Sequence, residues 1–257
     1  MGAMAETSTA KTQPAKTPAP KKKPAKKTET LGRVARRRRF SRRVVLWGAV
    51  AVFSFALLWT LLYALINPPT TPYMRAEAHR LVSVKQEWVD IEDIAPVMAR
   101  SVVAAEDANF CLHWGLDVNA IQSAVERGRG GASTISQQVV KNVFLWHGRS
   151  WARKAIEAVW TPLTEADRSK RRIVEIYLNV AEFDEGVFGV QAAARHYFGV
   201  DASDLTARQS ARLAAILPSP KNRSASNPST FTRNRAASIM SGAATIAADG
   251  RAECFEN

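Results

Sequence analysis

The stretch Ser133-Thr134-Ile135-Ser136-Gln137-Gln138-Val139-Val140-Lys141-Asn142 reads as a capped amphipathic helix. Ser133 or Thr134 supplies the hydroxyl N-cap that the first helical N–H groups need. From Thr134, helical spacing places Thr134, Gln137, Gln138 and Lys141 on one stripe, while Ile135, Val139, Val140, Val143 and Phe144 fill the other side. Solvated stripes ordinarily mix Glu with Lys. Hydroxyl, two neutral amides and a single cation suit a hydroxyl-rich or anionic ligand, so the stripe reads either as a plain polar face or as a binding surface.

The same period runs outward from this helix in both directions. It predicts helices over 94–107, 118–127, 133–145, 151–162, 169–180, 187–197, 206–217 and 230–247. Breakers fall between them at Gly128, Gly130 and Gly131, at Gly148, at Gly186, and at Pro218 and Pro220. Leu81 to Val89 is the best alternating run and reads as a strand or an extended linker. The expected fold class is all-α, with little or no sheet.

Charge is concentrated at one end of the chain. The whole sequence carries 36 Lys and Arg against 23 Asp and Glu, but residues 1–43 hold 14 of the bases and only 2 of the acids. The remaining 22 basic and 21 acidic groups nearly cancel, so the folded part lacks the basic surface of a nucleic-acid binder. Residues 1–43, rich in Lys, Pro, Ala and Thr toward their start, read as a disordered basic tail that lies against anionic lipid. Val44 to Ile66 follows without a charge and would span roughly 34 Å as a helix, enough for a bilayer core. No small-residue cleavage site follows it, so it reads as an uncleaved transmembrane anchor. Arg33, Arg36 to Arg39, Arg42 and Arg43 immediately precede it and hold the N-terminus in the cytoplasm by the positive-inside rule. Beyond it we expect a linker over 67–90, one globular domain over 91–248 and a loose tail over 249–257. Cys111 and Cys254 fall in the extracytoplasmic part; with Cys254 in that tail, two unpaired thiols are the expectation.

Two carboxylates stand out. Glu106 and Asp107 end an apolar helix at a bend, where burial can raise a carboxyl pKa into the range of a general acid or base. Acidic residues also end helices for ordinary reasons, and Phe110, His113, Trp114 and Gly115 read as packing and turn residues. Glu157 lies four residues after Arg153 on one helical face, beside Lys154 and Arg149. This set is either an exposed ion pair or a carboxylate among cations, with Lys141, Arg149 and Arg153 placed to neutralise a pyrophosphate. No metal-site spacing and no phosphate-cradling glycine motif occurs.

The order of these motifs resembles the family 51 glycosyltransferases, the peptidoglycan glycosyltransferases. Glu106-Asp107-x-x-Phe110-x-x-His113-x-Gly115 and Gly131-x-Ser133-Thr134-Ile135-x-Gln137-Gln138-x-x-Lys141-Asn142 are similar to its first two signatures. Arg153-Lys154-x-x-Glu157, Lys170-x-x-Ile173-x-Glu175-x-Tyr177-Leu178-Asn179 and Gly189-Val190-x-Ala192-Ala193-Ala194-x-x-Tyr197-Phe198-Gly199 follow in order. The chain ends without room for a penicillin-binding transpeptidase domain, so it resembles the monofunctional biosynthetic subgroup of Gram-negative bacteria.

The resemblance implies a lysozyme-like helical domain with a small membrane-proximal lobe; the short, glycine-rich connection between Val125 and Ser133 departs from relatives and is expected to reduce that lobe. It implies polymerisation of lipid II into β-1,4 glycan with inversion, in the periplasm at the inner membrane. Glu106 would be the general base and Glu157 the second catalytic carboxylate. Lys141, Arg149 and Arg153 would face the diphosphate, and Ser133, Thr134, Gln137 and Gln138 the cleft. It implies no tightly bound cofactor and no protein metal site, with Mg2+ or Mn2+ entering only alongside the substrate diphosphate. Partners are lipid II, the growing glycan, membrane lipid and cell wall or division proteins. A membrane-anchored lytic enzyme and an inert anchored scaffold are the competing readings. Pro162, five residues after Glu157, is expected to end or kink that helix.

Overall fold

The computed structural model describes Gly2 and residues 26–128, 131–148 and 150–256, with backbone only for 26–39. The first helix, α1 (Lys26–Leu65), carries the apolar segment, and its stretch Phe40–Leu65 is long and apolar enough to cross a membrane. It corrects the expectation of a disordered tail to residue 43. Leu, Ala and Arg are good helix formers, and extending an existing helix costs far less than nucleating one. The predicted disorder of the remaining tail lies outside the described residues.

From Ser54 onward the chain forms one compact unit. The last turns of α1 belong to it. Thr60 accepts from the Trp160 indole at 2.7 Å and its carbonyl accepts from Arg168, while Arg172 bonds the Asn67 side chain at 2.8 Å. The expected linker instead contains α2 (Pro72–Leu81), capped by Thr71 with Pro72 at its first position, a start signal present in the sequence. The extended reading of residues 81–89 survives only as β1 (Lys85–Gln86).

The remaining helices follow the sequence period closely. They are α3 (Pro96–Glu106), α4 (Val118–Glu126), α5 (Ile135–Phe144), α6 (Trp151–Asp167) and α7 (Lys170–Val180). After β2 (Glu182–Asp184) and β3 (Val187–Phe188) come α8 (Val190–Phe198), α9 (Ala207–Ile216) and α10 (Thr230–Ala248). The sheet is minimal, in order β1-β3-β2, with β1 parallel and β2 antiparallel to β3. The fold is therefore all-α, as expected.

Hydroxyl or Asp caps start α4, α5, α6, α7, α9 and α10, each accepting a backbone N–H. Such caps contribute about 1 kcal/mol each. Helix α7 is buried on every side from Ile173 to Val180, which makes it the central rod. Helix α5 packs against α7 and α6, while α3, α9 and α10 form a second layer. Pro162 does not end α6, because Thr161, Thr164 and Glu165 on either side of it are buried in tertiary contacts.

The last residues are not loose. Helix α11 (Glu253–Glu256) docks with Phe255 buried beside Phe110, Arg100 pairs with Glu256 at 2.8 Å, and Cys111 and Cys254 are joined in a disulfide with Cα atoms 5.8 Å apart. The expectation of two unpaired thiols is thus corrected. Sequence spacing cannot reveal a partner 143 positions away that is delivered by packing of an aromatic anchor. Closing so long a loop restricts the unfolded chain. Cys254→Ser should lower stability by roughly 2–4 kcal/mol, read as a fall in denaturant midpoint relative to wild type.

Candidate active site

Three helices meet at Glu106. As the last residue of α3 it is pushed into the gap between α5 and α10, leaving its side chain 14% exposed. Its Oε2 accepts a hydrogen bond from the Gln138 amide at 3.0 Å. Its Oε1 is enclosed, accepts no hydrogen bond among the described residues, and faces Arg235 of α10 at 3.7 Å. Burial is the dominant influence and lifts the carboxyl above the usual glutamate range, against the opposing pull of Gln138, Arg235 and Lys141.

The neighbouring Asp107 has a structural task. One oxygen accepts the N–H of Ile135, the first residue of α5, at 3.0 Å, and the other contacts His113 at 2.8 Å. Asp107 therefore fixes the start of α5 relative to the end of α3. The Thr134 hydroxyl donates to the Gly115 carbonyl at 2.6 Å and accepts from the Gln137 N–H, and the Gln137 side chain returns the bond to Thr134 N. Gly115 holds a φ of +86°, and a Cβ there would lie 2.7 Å from Thr161, so only glycine fits. His113 is held by the structural contact expected of it; Phe110 is buried, whereas Trp114 is exposed rather than packed.

This divides the polar stripe. Thr134 and Gln137 are buried and their oxygens serve a capping box. Gln138 and Lys141 are the stripe residues that reach the site. Lys141 lies within electrostatic reach of Glu106, Glu157, Arg153 and Lys154, and burial pushes its pKa below the usual lysine value. Beside Gln138 and Lys141 opens a cavity of about 200 Å³, also lined by Tyr73, Tyr177, Glu182 and Pro218.

The second carboxylate, Glu157, is buried on α6. It accepts from Arg153 at 3.1 Å and is paired with Lys154, whose Nζ also donates to Ser133 Oγ at 3.0 Å. Arg153 additionally donates to the Gly148 carbonyl at 2.9 Å, tying the preceding loop to α6. Glu157 is thus a buried carboxylate among cations rather than half of an exposed pair, and removing it would leave Arg153 and Lys154 without their anionic partner. Arg149, expected beside the diphosphate, lies outside the described residues.

Sequence reading missed Arg235 and Tyr177 near this site, and named Lys154 beside Glu157 without giving it a role. Lys154 stood inside a quoted motif and Tyr177 in another, but nothing near residue 235 signals its approach to Glu106. Among the described residues, Asp107, His113 and Asp117 bring ligand-type atoms within 4.8 Å of one another. Their oxygens already cap α5 and α4 and accept from Asn109, so this cluster is built as a scaffold.

A buried carboxyl of raised pKa, a cavity beside Gln138 and Lys141, and a second carboxylate paired with cations make up the candidate site. Residues 75–244 match the family described as Transglycosylase, and the chain belongs to that family. A biosynthetic peptidoglycan transglycosylase of Jannaschia sp. is 57% identical over 84% of this chain and 91% of its own length. Proteins of the same name from Xanthomonas campestris and Caulobacter vibrioides are 46% and 41% identical over 84% of this chain, covering 94% and 97% of their own lengths.

Proposed function

We propose that this glycosyltransferase of peptidoglycan synthesis polymerises lipid II, releasing undecaprenyl diphosphate at each step. The observation that carries the mechanism is the state of Glu106: one oxygen steadied by the Gln138 amide, the other enclosed without a donor. Glu106 takes the proton of the acceptor 4-hydroxyl as that oxygen attacks the anomeric carbon of the growing chain. The carbon–oxygen bond to the α-linked diphosphate breaks as the β-1,4 bond forms, so the reaction inverts. Lys141, with Arg153, Lys154 and, on the family resemblance, Arg149, offsets the charge that develops on the leaving diphosphate. Glu157 holds Arg153 and Lys154 in place. Mg2+ or Mn2+ enters with the diphosphate of the substrate.

The setting is a single-pass inner-membrane anchor with a cytoplasmic N-terminus and a periplasmic domain. Support comes from the arginine run before the apolar helix, from a disulfide that suits an oxidising compartment, and from uncovered apolar side chains at Leu112, Trp114, Val118, Val125, Trp151 and Val159. These side chains fit a membrane-proximal lobe, which keeps the site close to its lipid-linked substrate.

The pH dependence of lipid II turnover tests the assignment. Glu106 must be ionised and its pKa is raised, so activity should fall at a pH above the usual carboxylate range as the medium is acidified. Lys141 must be protonated and its pKa is lowered, so activity should also fall before the ordinary lysine range is reached on the alkaline side. A bell with both limbs drawn toward neutrality is expected for kcat. A profile flat through the acidic range would remove Glu106 from the proton transfer.

A further inference from the structure

Tyr177 is fully buried in the central helix α7, 1% exposed, and no motif chemistry claims its hydroxyl. A hydroxyl at such a place must find a partner, and this one donates to Gln138 Oε1 at 3.3 Å. The other end of the same amide, Nε2, donates to Glu106 Oε2 at 3.0 Å. The amide is therefore read from both ends. Its oxygen is committed to Tyr177, which leaves its nitrogen for the carboxylate.

We propose that Tyr177 is a positioning residue that anchors the Gln138 amide against Glu106 and through it fixes the aim of the carboxylate. The chemistry follows from what a primary amide can present. With nitrogen toward Glu106 the amide stabilises the carboxylate and fixes Oε2; turned over, it would set a carbonyl oxygen against an anion. Glu106 as a carboxylate can only accept and so draws the amide nitrogen, and the tyrosine hydroxyl, donating to the oxygen left on its side, holds the amide there. Phenylalanine at the same place would leave the amide oxygen without this donor and Gln138 less firmly held against Glu106.

The groups that face Glu106 come from each element packed around it: Asp107 just after α3, Gln138 and Lys141 on α5, Tyr177 on α7 and Arg235 on α10. Tyr177 itself does not titrate in the working range, since burial and the nearby Glu106 charge push its pKa far above the usual tyrosine value. It contributes as a fixed dipole, while Lys141 and Arg235 act as charges that do not depend on how the amide is turned. Removing the hydroxyl thus changes one influence on Glu106 and leaves the others in place. The expected sign is a further rise in the carboxyl pKa, because the Gln138 donor to the charged form is held less firmly.

The inference rests on Glu106 as the general base, and the test separates the two. Full-length wild type, Tyr177→Phe, Gln138→Ala, the double variant and Glu106→Gln are compared for lipid II turnover across pH. Tyr177→Phe should lower kcat about tenfold with little change in KM and move the acidic limb to higher pH. In the Gln138→Ala background the same substitution should have no further effect on that limb. A Tyr177→Phe limb that superimposes on wild type, or a shift of equal size without Gln138, would overturn the positioning role even if kcat and thermal stability fall. An active Glu106→Gln would overturn the base assignment instead, and an inactive Glu106→Gln with an unshifted Tyr177→Phe would overturn only the role of Tyr177.

Discussion

Glu106→Gln should reduce lipid II polymerisation by a factor of about 10² to 10⁴, the usual loss when a general base is removed. The substitution keeps the volume and leaves Gln138 a carbonyl oxygen to donate to, so the wall of the cleft is preserved. Stability moves the other way from activity. A carboxyl whose pKa is raised by folding stabilises the fold only in its protonated form, and that contribution is lost as pH rises through the raised value. At neutral pH the buried charge, with an enclosed Oε1 that accepts no hydrogen bond and only a distant Arg235 beside it, is a cost, and a neutral amide relieves it. Thermal unfolding of Glu106→Gln at neutral pH should therefore occur at or above the wild-type temperature. Near wild-type turnover would remove the residue from the chemistry, and a large fall in unfolding temperature would show that its role is to hold the helices together.

Lys141→Ala should lower kcat by about 10² to 10³, comparable with deleting one preorganised group from a charge-stabilising site. The cation is attracted by Glu157 and Glu106 and repelled by Arg153 and Lys154. Arg153 and Lys154 are already committed to Glu157, so they cannot replace it without abandoning a buried carboxylate. A second effect distinguishes this variant from a simple loss of binding. Lys141 pulls the Glu106 pKa down, so its removal should also move the acidic limb of the rate profile upward. Rates measured on saturating lipid II across pH check both effects; an unchanged kcat with an unchanged limb would place Lys141 outside the site.

The helices of the domain were legible because their signals are local. Thr134, Ser150, Ser169, Thr206 and Ser229 cap α5, α6, α7, α9 and α10, and apolar residues at helical spacing follow each. Helix α2 carried a local signal too, Thr71-Pro72, but its short mixed pattern resembled a linker. What sequence could not supply was long-range placement. Gln138 and Lys141 share a stripe with Thr134 and Gln137, yet the stripe divides because Asp107 and Gly115 dock the start of α5 and bury its first turn. Arg235 reaches Glu106, and Cys254 reaches Cys111, only through packing of α10 and α11 against the layer below. Pro162 misled for a related reason, since a local breaker was outweighed by buried contacts on both sides.

The most direct measurement offers one full-length preparation two substrates in parallel, lipid II and preformed peptidoglycan sacculi. The expected result is that lipid II is consumed, that undecaprenyl diphosphate is released as β-1,4 glycan accumulates, that moenomycin and Glu106→Gln each stop both, and that the sacculi stay intact. Release of anhydro-sugars from the sacculi without consumption of lipid II would contradict it and make the same cleft a glycan-cleaving site.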